Sequence, residues 1–171
     1  MTITKTNFSS RIISLLLAFI TLFGAVGLNS ATAEAASKTP AGAYVAAKNA
    51  YGKSFPLTSA NRVTGRRVFG VKTSLVSSYY AASRTTGSGS AKAEYAIFIC
   101  KAKNSKNARK VKSALKTYLK NEKNSMYNYL SGTGKTLFSK AKVGKKGNYV
   151  YLVMVDTSGN SKAVKAIKKS V

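Results

Sequence analysis

Apolar and polar positions alternate along this chain in three different ways, and each predicts a different kind of element. Over residues 105–123 the period is helical. Ala108, Val111, Leu115, Tyr118 and Leu119 fall on one arc, and Lys106, Arg109, Lys110, Lys112, Lys116, Lys120 and Lys123 fill the remainder. The same period recurs after Thr39-Pro40, a cap followed by a first-turn proline. There Ala43, Tyr44, Ala47, Ala50 and Tyr51 share a face and Gly52 stops the helix. A last helix, capped by Asn160 or Ser161, turns Ala163, Val164 and Ile167 inward and Lys162, Lys165, Lys168 and Lys169 outward. By contrast, AEYAIFICKA (93–102) and NYVYLVMVD (148–156) are apolar at both parities, as strands covered on both faces are.

Between these elements the pattern is weaker. KSFPLTS breaks the chain, and short helices are expected over 59–69, with Gly70 as terminator, and over 73–81, with Leu75, Val76, Tyr79 and Tyr80 inward. RTTGSGS, 84–90, reads as a loop. SMYNYLSGTGKTLFSKAKV is expected to hold a helical turn, a glycine loop and a strand over 136–143. GKKG, 144–147, is then a turn joining it to the next strand in an antiparallel hairpin. From residue 92 the order is strand, helix, strand, strand, helix. That order predicts an α+β fold: a small antiparallel or mixed sheet preceded by short N-terminal helices.

The third pattern is a block. Residues 12–28, IISLLLAFITLFGAVGL, form a nearly unbroken apolar run behind Lys5 and Arg11, and small residues follow in NSATAEAAS. Cleavage after Ala33 or Ala35 fits a signal peptide over 1–35, leaving 36–171 as a single domain. The competing reading is an uncleaved anchor, since the run nearly suffices to cross a bilayer. The one cysteine, Cys100, closes YAIFIC; it makes no internal disulfide and reads as a small buried hydrophobe, with pairing between two chains as the alternative.

Charge changes the picture most. The chain carries 29 basic residues against 4 acidic ones. Removal of 1–35 takes away Lys5, Arg11 and Glu34, so the net charge falls only from +25 to +24. Magnitudes of about 2–8 are usual for a small domain. A field of that size collects anions, and outside a cell these are wall phosphate polymers, anionic lipid headgroups, nucleic acid and acidic polysaccharide. Lysine outnumbers arginine 23 to 6. Lysine is a hydrated point charge, so the balance favours loose attraction over specific nucleic-acid recognition, and solubility alone is the plainer reading.

Catalytic sets are short of parts. No histidine is present, which removes histidine triads and most zinc sites, and no cofactor or metal is expected. After cleavage the acids are Glu94, Glu122 and Asp156, and nothing in the expected elements brings two of them together. SGTGKT, 131–136, resembles half of a phosphate-binding loop, but Tyr129 stands where that loop needs its first glycine, so no nucleotide is expected. Ser113 and Lys116 fit S-x-x-K, and Ser158 and Asn160 fit S-x-N, yet the K-T-G element of penicillin-binding enzymes is missing. Tyr127 and Tyr129 are the candidate exposed aromatics; most of the ten tyrosines fall on apolar arcs.

Two segments, AEYAIFICKAKNSKNARKVKSALKTYLKNEKNSMYNYL and KAKVGKKGNYVYLVMV, together with VFGVKTSLVSSYYA upstream, resemble the bacterial exported family called domain of unknown function 4358. The most specific part is Gly147-Asn148-Tyr149-Val150. The resemblance implies export from a Gram-positive bacterium and brings no activity or catalytic residues with it. Members often carry a lipid-attachment cysteine, which this chain lacks, and their helices are commonly acidic or mixed where these are lysine-rich. A ligand shared across that family therefore does not depend on this basic surface. The expected function is that of a secreted, non-enzymatic envelope domain held by an anionic wall polymer or membrane surface. Its candidate polyanion-binding residues are Lys106, Arg109, Lys110, Lys112, Lys116 and Lys120. The alternatives are an accessory subunit that docks on an envelope machine, whose binding would survive salt, and an extracellular enzyme with an unrecognised site.

Overall fold

The computed structural model describes residues 38–88 and 92–171. The expected signal segment lies outside the described residues. Residues 36–171 form one compact unit that contains both hydrophobic clusters. Its centre is a five-stranded antiparallel sheet ordered β1-β4-β5-β7-β6, from β1 (Asn61–Arg62), β4 (Val76–Thr86), β5 (Ala93–Ala102), β6 (Lys142–Lys146) and β7 (Tyr149–Met154). A two-stranded ribbon pairs β2 (Arg67–Val68) with β3 (Val71–Lys72). Helices α1 (Pro40–Tyr51), α2 (Ser105–Met126), α3 (Gly132–Lys140) and α4 (Ser161–Ser170) complete an α+β fold.

The two central strands explain the layering. On β5, Ala96, Phe98 and Cys100 face one side, and Ile97 and Ile99 the other. On β7, Val150, Leu152 and Met154 alternate in the same way with Tyr151 and Val153. A sheet apolar on both faces must be covered twice. Ala108, Val111 and Leu115 of α2, with Leu137 and Phe138 of α3, cover the first face; Ala43 and Ala47 of α1, with Ala163 and Ile167 of α4, cover the second. Cys100 is fully buried in the first cluster, and burial pushes its thiol up to about 12, so it is neither exposed nor ionised at neutral pH.

Four expected elements come out differently. Residues 59–69 hold β1 and β2, and 73–81 hold a single 3-10 turn (Thr73–Leu75) followed by the first half of β4, in place of the two short helices. Val68 pairs with Val71 across Phe69-Gly70, both of which have positive φ (48° and 75°), as a two-residue hairpin turn of type I′ requires. Phe69 tolerates this because its ring is buried against Phe98 and Tyr118, with centroids 6.2 and 5.4 Å away. The helical spacing over 73–81 has a different origin. A bulge between Val76 and Ser78 shifts the register, so Val76 and Tyr79 reach the same face although three residues apart.

Residues 136–143, expected as a strand, are mostly α3. Its N-cap is Ser131, whose hydroxyl accepts from the Gly134 N–H at 3.0 Å. The strand that follows begins only at Lys142 and runs through Lys146, so the tight turn shrinks to Gly147-Asn148. Likewise β4 extends to Thr86 and takes in the first three residues of the expected loop at 84–90.

One buried polar side chain ties the layers together. Asn160 is fully buried; its Oδ1 accepts from the Val155 N–H and its Nδ2 donates to the Lys140 carbonyl, each at 2.9 Å. It therefore does not cap α4 with its side chain but joins the end of β7 to the end of α3. Asn160→Ala leaves a buried N–H and a buried carbonyl without partners, and should cost about 2–4 kcal/mol in urea-denaturation stability.

Candidate functional site: a cationic helix face

The α2 ridge begins at Asn104, whose Oδ1 accepts from the Asn107 N–H at 2.8 Å. The stripe Ala108, Val111 and Leu115 is fully buried, which fixes the rotation of the helix and therefore which residues face water. Lys106, Arg109, Lys110, Lys116 and Lys120 are exposed, and Lys112 is half-buried at the border of the apolar stripe. All six candidate residues thus lie along one helix over about 20 Å of its length. Basic side chains also stand on the opposite layer, where Lys162, Lys165, Lys168 and Lys169 of α4 are exposed. The domain is cationic on both outer faces.

Beside the ridge, the β2–β3 ribbon packs on α2 so closely that a Cβ at Gly70 would stand 3.3 Å from the Tyr118 Cβ. The cleft between them, of about 470 Å³, is lined by Arg67, Lys110, Ser113, Tyr118 and Glu122 among others. Glu122 of this lining is also near enough to Glu94 of β5 for its charge to act on that carboxyl. Burial pushes the Glu94 carboxyl above its ordinary value, and the charge of Glu122 pushes it further, against a weaker pull from Lys92. The Tyr118 phenol is raised by burial and by both carboxylates. Asp156 is elsewhere: its carboxylate accepts from the Ser158 hydroxyl at 2.6 Å and the Tyr51 hydroxyl at 3.1 Å, and it is held below the usual range chiefly by the Ser158 hydroxyl.

The other motifs are occupied structurally. In SGTGKT, Ser131 donates to the Lys92 carbonyl at 3.1 Å and the Thr136 hydroxyl donates to the Gly132 carbonyl at 2.9 Å. A Cβ at Gly134 would lie 2.7 Å from the Lys92 carbonyl oxygen, so that glycine serves the approach of α3 to the chain leading into β5. Ser113 and Lys116 are exposed on α2, whereas Asn160 of the S-x-N pair is buried and bonded to backbone. Tyr129 is exposed, and the side chain of Tyr127 lies outside what is described. Among the described residues there is no group of three or more metal-ligating side chains, and no helix is long and apolar enough to cross a membrane.

The family model for a domain of unknown function (DUF4358) matches residues 53–155. The chain belongs to the DUF4358 family. The matched span of this DUF4358 domain contains the five-stranded sheet, the β2–β3 ribbon, α2 and α3, while α1 and α4 lie outside it. No curated protein and no solved structure matches the chain.

The Glu94–Glu122 pair gives a signed expectation. With its folded-state value raised above 4.5, Glu94 binds more protons folded than unfolded in the window just above that value. Stability therefore falls as pH rises through the window. Glu122→Gln should lower the Glu94 value, read by NMR titration of the Glu94 carboxyl carbon; an unchanged value would show that the two charges do not meet.

Proposed function

We propose that this DUF4358 domain works outside the membrane as a binding domain, without catalysis, and is held at the bacterial envelope by an anionic wall polymer. The observation that carries the reading is the α2 ridge. Five exposed cations and a sixth at its border stand on a helix whose buried stripe leaves it no freedom to turn them away. Lysines in water attract a polyanion through many weak contacts, so retention is sensitive to ionic strength and tolerant of polymer sequence. Docking on a protein partner finds less support, because the exposed large apolar residues among those described are only Val45 and Tyr129.

The test is co-sedimentation of residues 36–171 with purified cell walls, intact or stripped of anionic polymer. Binding should disappear on stripping and fall steeply in high salt. Exchange of Lys106, Lys110, Lys116 and Lys120 for glutamine should reduce retention several-fold while leaving the circular dichroism spectrum unchanged. Retention that survives both stripping and salt would replace this reading with a specific peptidoglycan or protein partner.

A further inference from the structure

On the other side of the sheet from α2, a cleft of about 490 Å³ lies between α4 and the edge strand β6. Its lining is Lys142 and Val143 from β6, Tyr151 from β7, and Ser161, Val164, Lys165 and Lys168 from α4. No carboxylate is among these residues.

Tyr151 is the unusual member. It pairs in register with Gly144, and its ring lies across that residue: a Cβ at Gly144 would fall inside the ring, 2.7 Å from Cε2 and nearer still to Cζ and the hydroxyl. Gly144 has no positive φ to explain it, so its missing side chain provides the space in which the phenol reaches the cleft. Tyr151 is 3% exposed, yet its hydroxyl has no hydrogen-bond partner among the described residues. Tyr44, Tyr51 and Tyr149, by contrast, donate to the Leu57 carbonyl, the Asp156 carboxylate and the Lys38 carbonyl. No buried side-chain oxygen or nitrogen among the described residues lacks a partner, so this hydroxyl meets the solvent of the cleft and is free to donate to whatever enters. Burial also raises its pKa, which keeps the donor proton in place at neutral pH. The cleft is held in shape from its far end, where Lys146 of β6 donates to the Lys168 carbonyl of α4 at 2.6 Å.

We propose that this cleft binds a phosphate ester. Three lysines from two elements, with a phenol and a serine hydroxyl, supply donors around a tetrahedral phosphate group, whose oxygens spread in three dimensions where a planar carboxylate reaches fewer of them. Val164 offers an apolar wall to the esterified side. The site is independent of the α2 ridge and stands or falls separately from it.

The test is a ¹H–¹⁵N NMR titration of residues 36–171 with sn-glycerol 3-phosphate, glycerophosphoglycerol and acetate, in 150 mM NaCl. Saturable shifts confined to Val143, Gly144, Tyr151 and the 161–168 backbone with either phosphate, and none with acetate, are expected. The preference between the first two tells a monoester from a diester ligand. Tyr151→Phe, which keeps the ring and removes the donor, should weaken binding about tenfold. Lys165→Gln with Lys168→Gln should abolish saturation, while Lys110→Gln with Lys116→Gln leaves it intact. Equal affinity in Tyr151→Phe, or shifts spread evenly over α2 and α4, would overturn the proposal and reduce the cleft to general counterion attraction.

Discussion

The pairing of β5 with β7 is the contact on which the rest of the structure depends. Six register pairs, from Ala96 with Met154 to Lys101 with Tyr149, align two strands that are apolar on both sides. Once they are joined, neither face can be left to water, and each must recruit a helical layer. α2 and α3 take the face of Phe98 and Leu152; α1 and α4 take the face of Ile97 and Val153. The lysine ridge is a consequence of this demand, because the stripe that α2 gives to the sheet determines what it gives to solvent.

A chain so rich in lysine has little use for charges inside. Its buried polar contacts are made largely by neutral groups: Asn160 between β7 and α3, Ser131 against the Lys92 carbonyl, and tyrosine hydroxyls at the edges of the core. Glu94 is the contrary case, a partly buried carboxylate that Glu122 opposes more than Lys92 relieves. Stacking does part of the remaining work, as where Tyr44 lies on Tyr80 with centroids 4.3 Å apart.

The two candidate surfaces differ in how they are built. The α2 ridge comes from one continuous segment and was legible residue by residue, since a helical period with lysines off the apolar arc has one solvent face. The cleft under α4 is assembled from β6, β7 and α4, whose cationic members are ordinary surface lysines in sequence. Tyr151 reads there as one more apolar position in NYVYLVMVD, and Gly144 as part of a turn. The pairing of Gly144 with Tyr151, a cross-strand register, is what gives both residues a meaning, and no local pattern announced it.

Local pattern determined the amphipathic helices, the two doubly covered strands, the α+β class and the cationic character, because periodicity and charge are carried by neighbours in the chain. It misled where a non-local constraint imitated a local one. The bulge at Val76 and Ser78 put residues three apart on one face of a strand, and Phe69-Gly70 resembled a helix end while forming a hairpin held by Phe98 and Tyr118. SGTGKT became a helix start because Ser131 and Gly134 meet the Lys92 carbonyl, some 40 residues earlier. Only the tertiary structure decided which side chains meet across strands and layers, since those meetings depend on register and packing between segments far apart in the chain.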